Sequence, residues 1–270
     1  MEPSSDSGTS VVSETLQEST VHDMWEDRYR SPDRNYRRHL FDLVARQLGD
    51  AAAGPVLDAG CGPAVHAIRL AERGFLLHGI DLSPAALELA RKNVDRAGYA
   101  DSITLQQGDL LQLPFPDGTY GRVMCWGVLM HVPQVEEAIR ELVRVTAPGG
   151  TILISESNIR SIHGRMIRFV KARQSSTVHI DRRPAGLEIW RRTSAGDLFI
   201  RVADPAWLTT AFARQGARLV ARRPTGLTDL HTRLGPRASR VVQLASHGFF
   251  FTRWPGPALG NLFVFEKREA

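Results

Sequence analysis

Val56-Leu57-Asp58-Ala59-Gly60-Cys61-Gly62-Pro63-Ala64, VLDAGCGPA, decides the fold of this chain. Two apolar residues lead into a carboxylate, and two glycines follow directly. The apolar pair predicts a buried strand. Asp58 does not easily lie in a dry strand interior unless it is paired, and at the strand end it can accept hydrogen bonds from a ligand or from the loop amides. Gly60 and Gly62 then allow a tight turn and close backbone approach by a ligand. In open parallel sheets ligands bind at such strand ends.

Outward from this stretch, strands and helices alternate. LLHGIDL (76–82) reads as a second strand ending in Asp81, 23 residues after Asp58. Ser83 and Pro84 supply an N-cap and a first-turn proline for the helix that follows. SITLQQGDL, GRVMCWGV and TILISES read as further strands, and VEEAIRELVRVT as a helix stopped by PGG. ARLVARRP and NLFVFEKRE return as strands near the end. The pattern predicts an α/β fold: a doubly wound, Rossmann-like, seven-stranded, mostly parallel sheet with an inserted lid. The expected divisions are a disordered tail over 1–20, a helical cap over 21–54 and a cofactor-binding core over 55–156. A lid insert over 157–203 follows, then the rest of the core over 204–270 with a second insert at 225–260.

Composition narrows the class. The chain has 270 residues, 43% hydrophobic and 23% charged, as in ordinary globular proteins. No apolar run approaches the ~20 residues that cross a bilayer, and no membrane partner is expected. The first twenty residues have neither a basic start nor an apolar core, so no secretory signal is expected. Two cysteines without metal spacing, Cys61 and Cys125, fit a reduced cytoplasm. The nine histidines show no zinc spacing, and no metal is expected.

Charge is distributed unevenly. Residues 1–155 hold 14 basic and 21 acidic residues, whereas 156–270 hold 20 basic and 8 acidic. Solvated arginine faces account for such a bias, and so does an anionic partner over the C-terminal half. The 157–203 insert carries ten basic and three acidic residues, including Arg182, Arg183, Arg191 and Arg192. A phosphorylated or nucleotide-bearing metabolite suits such a lid.

The nucleotide possibilities separate on small details. A dinucleotide fingerprint needs a third glycine where Val65 stands, and a phosphate loop needs Gly-Lys-Ser/Thr, which is missing. An acidic residue at the place of Asp81 can accept both hydroxyls of a ribose. VLDAGCG, GIDLSPAALELAR, QGDLLQLPFPDGTYGRVMCWGVLMHV and LVRVTAPGGTILISE occur in that order over residues 56–156. This succession resembles the class I S-adenosylmethionine-dependent methyltransferases. One departure is Ala64, where family members often carry a third glycine.

The resemblance implies S-adenosylmethionine as cofactor and assigns roles by position. Gly60 and Gly62 pack under its methionine part, with Asp58 near the ammonium. Asp81 takes the ribose hydroxyls, and Leu82 covers one face of the adenine. Asp109 accepts from the adenine amino group, with Leu110 beside the ring. Trp126 and Gly127 border the sulfonium, and Tyr29 closes over the cofactor. A cationic ligand meeting carboxylates and carbonyls is electrostatically consistent.

For catalysis, His131 lies past the strand end that faces the cofactor and is the candidate general base. His163 and Glu156 are further candidates. Alone, Asp109 also reads as a turn residue, Trp126 as core and Asp81 as a helix-end charge. The expected function is methylation of a small-molecule acceptor, a natural product or a phosphate-bearing metabolite. The alternatives are an RNA or tRNA methyltransferase, or a SAM-dependent enzyme that transfers no methyl group. CWGVLMH lacks the Asn/Asp-Pro-Pro-aromatic motif of base-amino methyltransferases, and Cys125 precedes Trp rather than Pro. Nucleic acid is therefore not the expected partner, and the sequence sets no oligomeric state.

Overall fold

A computed structural model describes residues 34–165, 179–193, 196–227 and 236–269. The expected tail, Tyr29 and most of the helix anticipated after Ser161 lie outside the described residues. Helix α1 (Arg34–Leu48) comes first and buries Leu40, Phe41, Val44 and Leu48 at helical spacing. Strand β1 (Val56–Ala59) and helix α2 (Val65–Ala71) follow, then β2 (Leu77–Asp81), α3 (Pro84–Ala97), β3 (Ile103–Gln107) and β4 (Tyr120–Trp126). A single 3₁₀ turn at Leu129–His131 precedes α4 (Val135–Val145) and β5 (Thr146–Ser157). Three strands, β6 (His179–Arg183), β7 (Gly186–Thr193) and β8 (Gly196–Ala203), make a separate antiparallel sheet. Helix α5 (Pro205–Arg214), β9 (Ala217–Gly226), α6 (Pro236–Phe251) and β10 (Gly260–Lys267) complete the order.

The main sheet has seven strands in the order β3-β2-β1-β4-β5-β10-β9. Pairings are parallel from β3 through β5, while β10 runs antiparallel to both neighbours. This is the mostly parallel, doubly wound sheet expected from the alternation. The order reverses beside β1, the topological switch point where open α/β sheets bind ligands. Every residue of β1 is buried because helices cover both faces. One core layer gathers Leu57, Ile80, Val123, Ile139, Ile154, Phe212 and Phe263. The other gathers Phe41, Val56, Leu70, Val94, Met124, Leu153 and Leu262.

The local signals behave as the chemistry dictates. Ser83 Oγ accepts from Ala86 N at 3.2 Å, with Pro84 opening α3. Asp204 caps α5 in the same way, accepting from Ala206 N and Trp207 N. GLEIWRRT and DLFIRVA fall on β7 and β8, which hydrogen-bond into one sheet with β6. Across the antiparallel pair of β5 and β10, Glu156 faces Asn261.

Candidate active site

At the carboxyl ends of β1, β2 and β4 a cleft encloses about 960 Å³ out to its open mouth. Its floor is the turn after β1. Gly60 N and Cys61 N both donate to Ile80 O, at 2.8 and 3.0 Å, which ties the turn to the end of β2. Gly60 has φ +78°, and an added Cβ would lie 2.5 Å from a Val128 methyl, so only glycine fits. Ala64 ends the turn at φ 59°, the left-handed region that L side chains rarely adopt. The departure from glycine there is thus a strained alanine.

Asp81 holds the next wall. Its Oδ2 accepts from Gly62 N at 2.8 Å and its Oδ1 from Ser83 N at 2.9 Å. Two amides therefore hold the carboxylate in place. Beyond β3, Asp109 is exposed and its Oδ1 accepts from Leu111 N at 2.8 Å. That bond makes the turn expected of a GDL sequence, and the turn buries Leu110.

Asp58 lies behind the cleft rather than on its lining, and is 1% exposed. Its Oδ2 has no hydrogen-bond partner. Burial, then the nearby Asp81 charge, raises its pKa to about 7. A carboxyl so placed gains its charge when a cation arrives. This orphaned acceptor, the two locked carboxylates and the glycine turn fit a ligand with an ammonium and ribose hydroxyls.

The fourth wall is aromatic and imidazole. Trp126 stacks on Phe41 at 5.3 Å and packs against His66 at 5.0 Å, so α1 reaches over β4 to the cleft. Trp126 is thereby both part of a packed cluster and part of the lining. His131, 9% exposed, also lines the cleft. Its Nδ1 donates to Phe199 O on β8 at 3.0 Å, which leaves Nε2 as the acceptor nitrogen. Burial holds its pKa down at about 4, so the ring is neutral at physiological pH.

The turn carrying His131 is fastened from β8 by Arg201, which is 3% exposed. Its guanidinium donates to the carbonyls of Leu129, Val132 and Pro133 at 3.3, 2.8 and 2.9 Å, and to Glu188 Oε1 at 2.8 Å. From β5, Glu156 Oε1 accepts from Met130 N at 3.2 Å. Its other oxygen has no partner, and burial raises its pKa to about 8.

The cleft therefore brings together nine of the thirteen anticipated residues, Gly60, Gly62, Asp81, Leu82, Asp109, Leu110, Trp126, Gly127 and His131, and Glu156 and His163 do not line it. Asp58 lies just beneath, and Tyr29 is outside the described residues. His66, Val128, Phe41 and Arg201 were not anticipated. Phe41 and His66 carry a helical apolar signal that says core, not site. Arg201 reaches the site only because β8 packs on the turn, a long-range contact without a local signature. Arg182 and Arg183 are exposed on β6, with Arg183 Nη2 3.6 Å from Asp181, and neither lines the cleft.

Known proteins agree with this geometry. A family model described as a methyltransferase domain matches residues 56–150. The demethylmenaquinone methyltransferase of Geobacillus kaustophilus (strain HTA426) is 31% identical over 157 residues, covering 54% of this chain and 67% of that protein. The 27-O-demethylrifamycin SV methyltransferase of Amycolatopsis mediterranei (strain S699) is 30% identical over 52% of this chain and 51% of its own. The chain spans about half the length of the first curated relatives it matches. Among solved structures, magnesium protoporphyrin IX methyltransferase (ChlM) from Synechocystis PCC 6803, with bound SAH, superposes with TM-score 0.64. It shares 16% identity over 96% of this chain and 99% of that one.

The chain belongs to the class I S-adenosylmethionine-dependent methyltransferase family. S-adenosylmethionine is accordingly its cofactor.

Proposed function

We propose that the protein transfers a methyl group from S-adenosylmethionine to a hydroxyl of a small-molecule natural product. The observation that carries this reading is His131, a neutral imidazole in the cofactor cleft whose Nδ1 proton is fixed on Phe199 O. An oxygen acceptor must lose its proton as it attacks, and Nε2 is the group that takes it. The 27-O-demethylrifamycin SV and demethylmenaquinone methyltransferase relatives support a small-molecule acceptor.

The cofactor supplies a methyl group already activated on a sulfonium. The chain supplies alignment, which is most of what an in-line displacement requires. Asp81 holds the ribose, Asp109 and Leu110 the adenine, and Gly60 and Gly62 admit the methionine part. Asp58 compensates its ammonium, and Trp126 and Gly127 flank the sulfonium. On this reading residues 55–156 are the cofactor core, and the β6–β8 sheet within 157–203 is the acceptor side of the cleft. Two free, buried thiols, Cys61 and Cys125, accord with a cytoplasmic location. No described helix is long and apolar enough to cross a membrane.

The test is a screen of phenolic and alcoholic natural products for mass gain of one methyl group. His131→Ala is expected to cut turnover ~10²–10⁴-fold with cofactor affinity retained. Full activity in that variant would return His131 to packing and point to a nitrogen or carbon acceptor.

A further inference from the structure

Helix α6 presents an outward stripe of the wrong polarity for water. Arg237, Val241, Leu244, Gly248 and Phe251 follow one another at three- and four-residue steps, and so share a face. All five are exposed. Val241 is 66% exposed, Leu244 67%, Phe251 59%, and Trp254 just beyond the helix 65%. Among the described residues, nine large apolar side chains are exposed, and four of them lie in this 14-residue stretch. Scattered exposed apolar residues are ordinary, whereas a contiguous group marks a binding face.

Charge says what the face meets. From Leu230 to Phe265 the chain has no Asp or Glu, and Arg237, Arg240 and Arg253 are exposed beside the apolar stripe. An apolar helix face rimmed by arginines, with a tryptophan at its end, is the pattern that lies in the headgroup region of an anionic bilayer. A protein partner would need an equally apolar face carrying many carboxylates. A second copy of this chain would oppose arginine to arginine.

We infer that α6, with Trp254, is a peripheral docking face for anionic lipid membranes. This goes beyond methyl transfer and does not depend on it. The face adjoins the cleft, because the Phe251 ring packs on His39 of α1, the helix whose Phe41 stacks on Trp126. Docking would therefore hold the cleft close to the lipid surface.

The test is co-sedimentation of the full chain with phosphatidylcholine vesicles, with and without phosphatidylglycerol. Binding is expected only where phosphatidylglycerol is present, with a decline as salt is raised. A blue shift of tryptophan fluorescence should accompany binding and be lost in Trp254→Phe. Val241→Glu and Leu244→Glu, both at well-exposed positions, should each weaken binding about 10-fold. Far-UV dichroism melts establish that these variants fold, so the result stands apart from any failure of the methyltransferase reading. The inference is overturned if the wild-type protein ignores the anionic vesicles, or if both Glu variants bind them as well as wild type. It is also overturned if the face instead closes a dimer in solution that Leu244→Glu splits.

Discussion

Burial, and then the Asp81 charge, raises the Asp58 pKa to about 7 from the ordinary 3.8. Glu156 is raised to about 8 by burial. A raised folded pKa favours the fold below pH ~4, and that contribution is lost as pH climbs through the folded value. His131, lowered to about 4, acts in the opposite sense: its contribution is present above pH 6.5 and lost as pH falls toward 4. Two raised carboxyls outweigh one lowered imidazole, so thermal stability of the free protein should decline as pH rises from about 4 to 8. Asp58→Asn should flatten that decline. S-adenosylhomocysteine, which carries the ammonium but no sulfonium, should bind up to ~10-fold more tightly per unit as pH rises to 7, then level off. Calorimetry at several pH values checks this; a flat profile would place the ligand's ammonium away from Asp58. At the next turn, Ala64→Gly should relieve the left-handed strain, about 1 kcal/mol, and raise the melting temperature by ~2–4 °C.

At the scale of elements, two fasteners position the cleft. Asp81→Ala removes the acceptors of Gly62 N and Ser83 N, as well as those offered to ribose. Cofactor affinity should fall by roughly 1.5–3 kcal/mol for each charged hydrogen bond lost, while the core melts almost as before. Arg201→Met strips the 129–133 turn of its clamp and leaves Glu188 and Val132 O without the guanidinium, while Leu129 O and Pro133 O keep only their backbone donors. A loss of about 3–5 kcal/mol in stability is expected from urea unfolding. Arg201→Lys, which keeps the charge, should lower kcat more than it weakens the cofactor. An unchanged His131 ring resonance in a ¹⁵N spectrum of that variant would show that the clamp does not set the imidazole. The first fastener was legible in the sequence and the second was not. Asp81 announces itself by ending an apolar run before Ser-Pro, a local chemical signal. Arg201 differs from the other arginines of its segment only in what β8 packs against.

For the whole molecule, strand and helix periodicity disclosed the seven-stranded sheet, because buried parallel strands write continuous apolar runs between turn residues. GLEIWRRT and DLFIRVA were readable as extended, but not as paired, since pairing is a contact between segments. The composition of the C-terminal half showed its basic excess but not its geometry. Exposure separates Arg201, buried in a carbonyl clamp, from Arg182 and Arg183, which face solvent. Replacing Arg182 and Arg183 with glutamine should therefore change stability by no more than ~1 kcal/mol. Steady-state KM for the methyl acceptor should stay within about twofold, a result that would retire the idea of an anionic clamp at those two positions.

The place of β10 between β5 and β9 also has a cost in time. β5 ends at Ser157, and its outer neighbour is not finished until Lys267, 110 residues later. At bacterial or eukaryotic elongation speeds that is on the order of ten seconds of synthesis. Through that interval the nascent chain carries a long, apolar strand with one unpaired edge, Ile152, Leu153 and Ile154 among its residues. Such edges template aggregation. The segment that seals this edge of the sheet is thus translated long after β5, and the nascent chain is most vulnerable when its cofactor half is already complete.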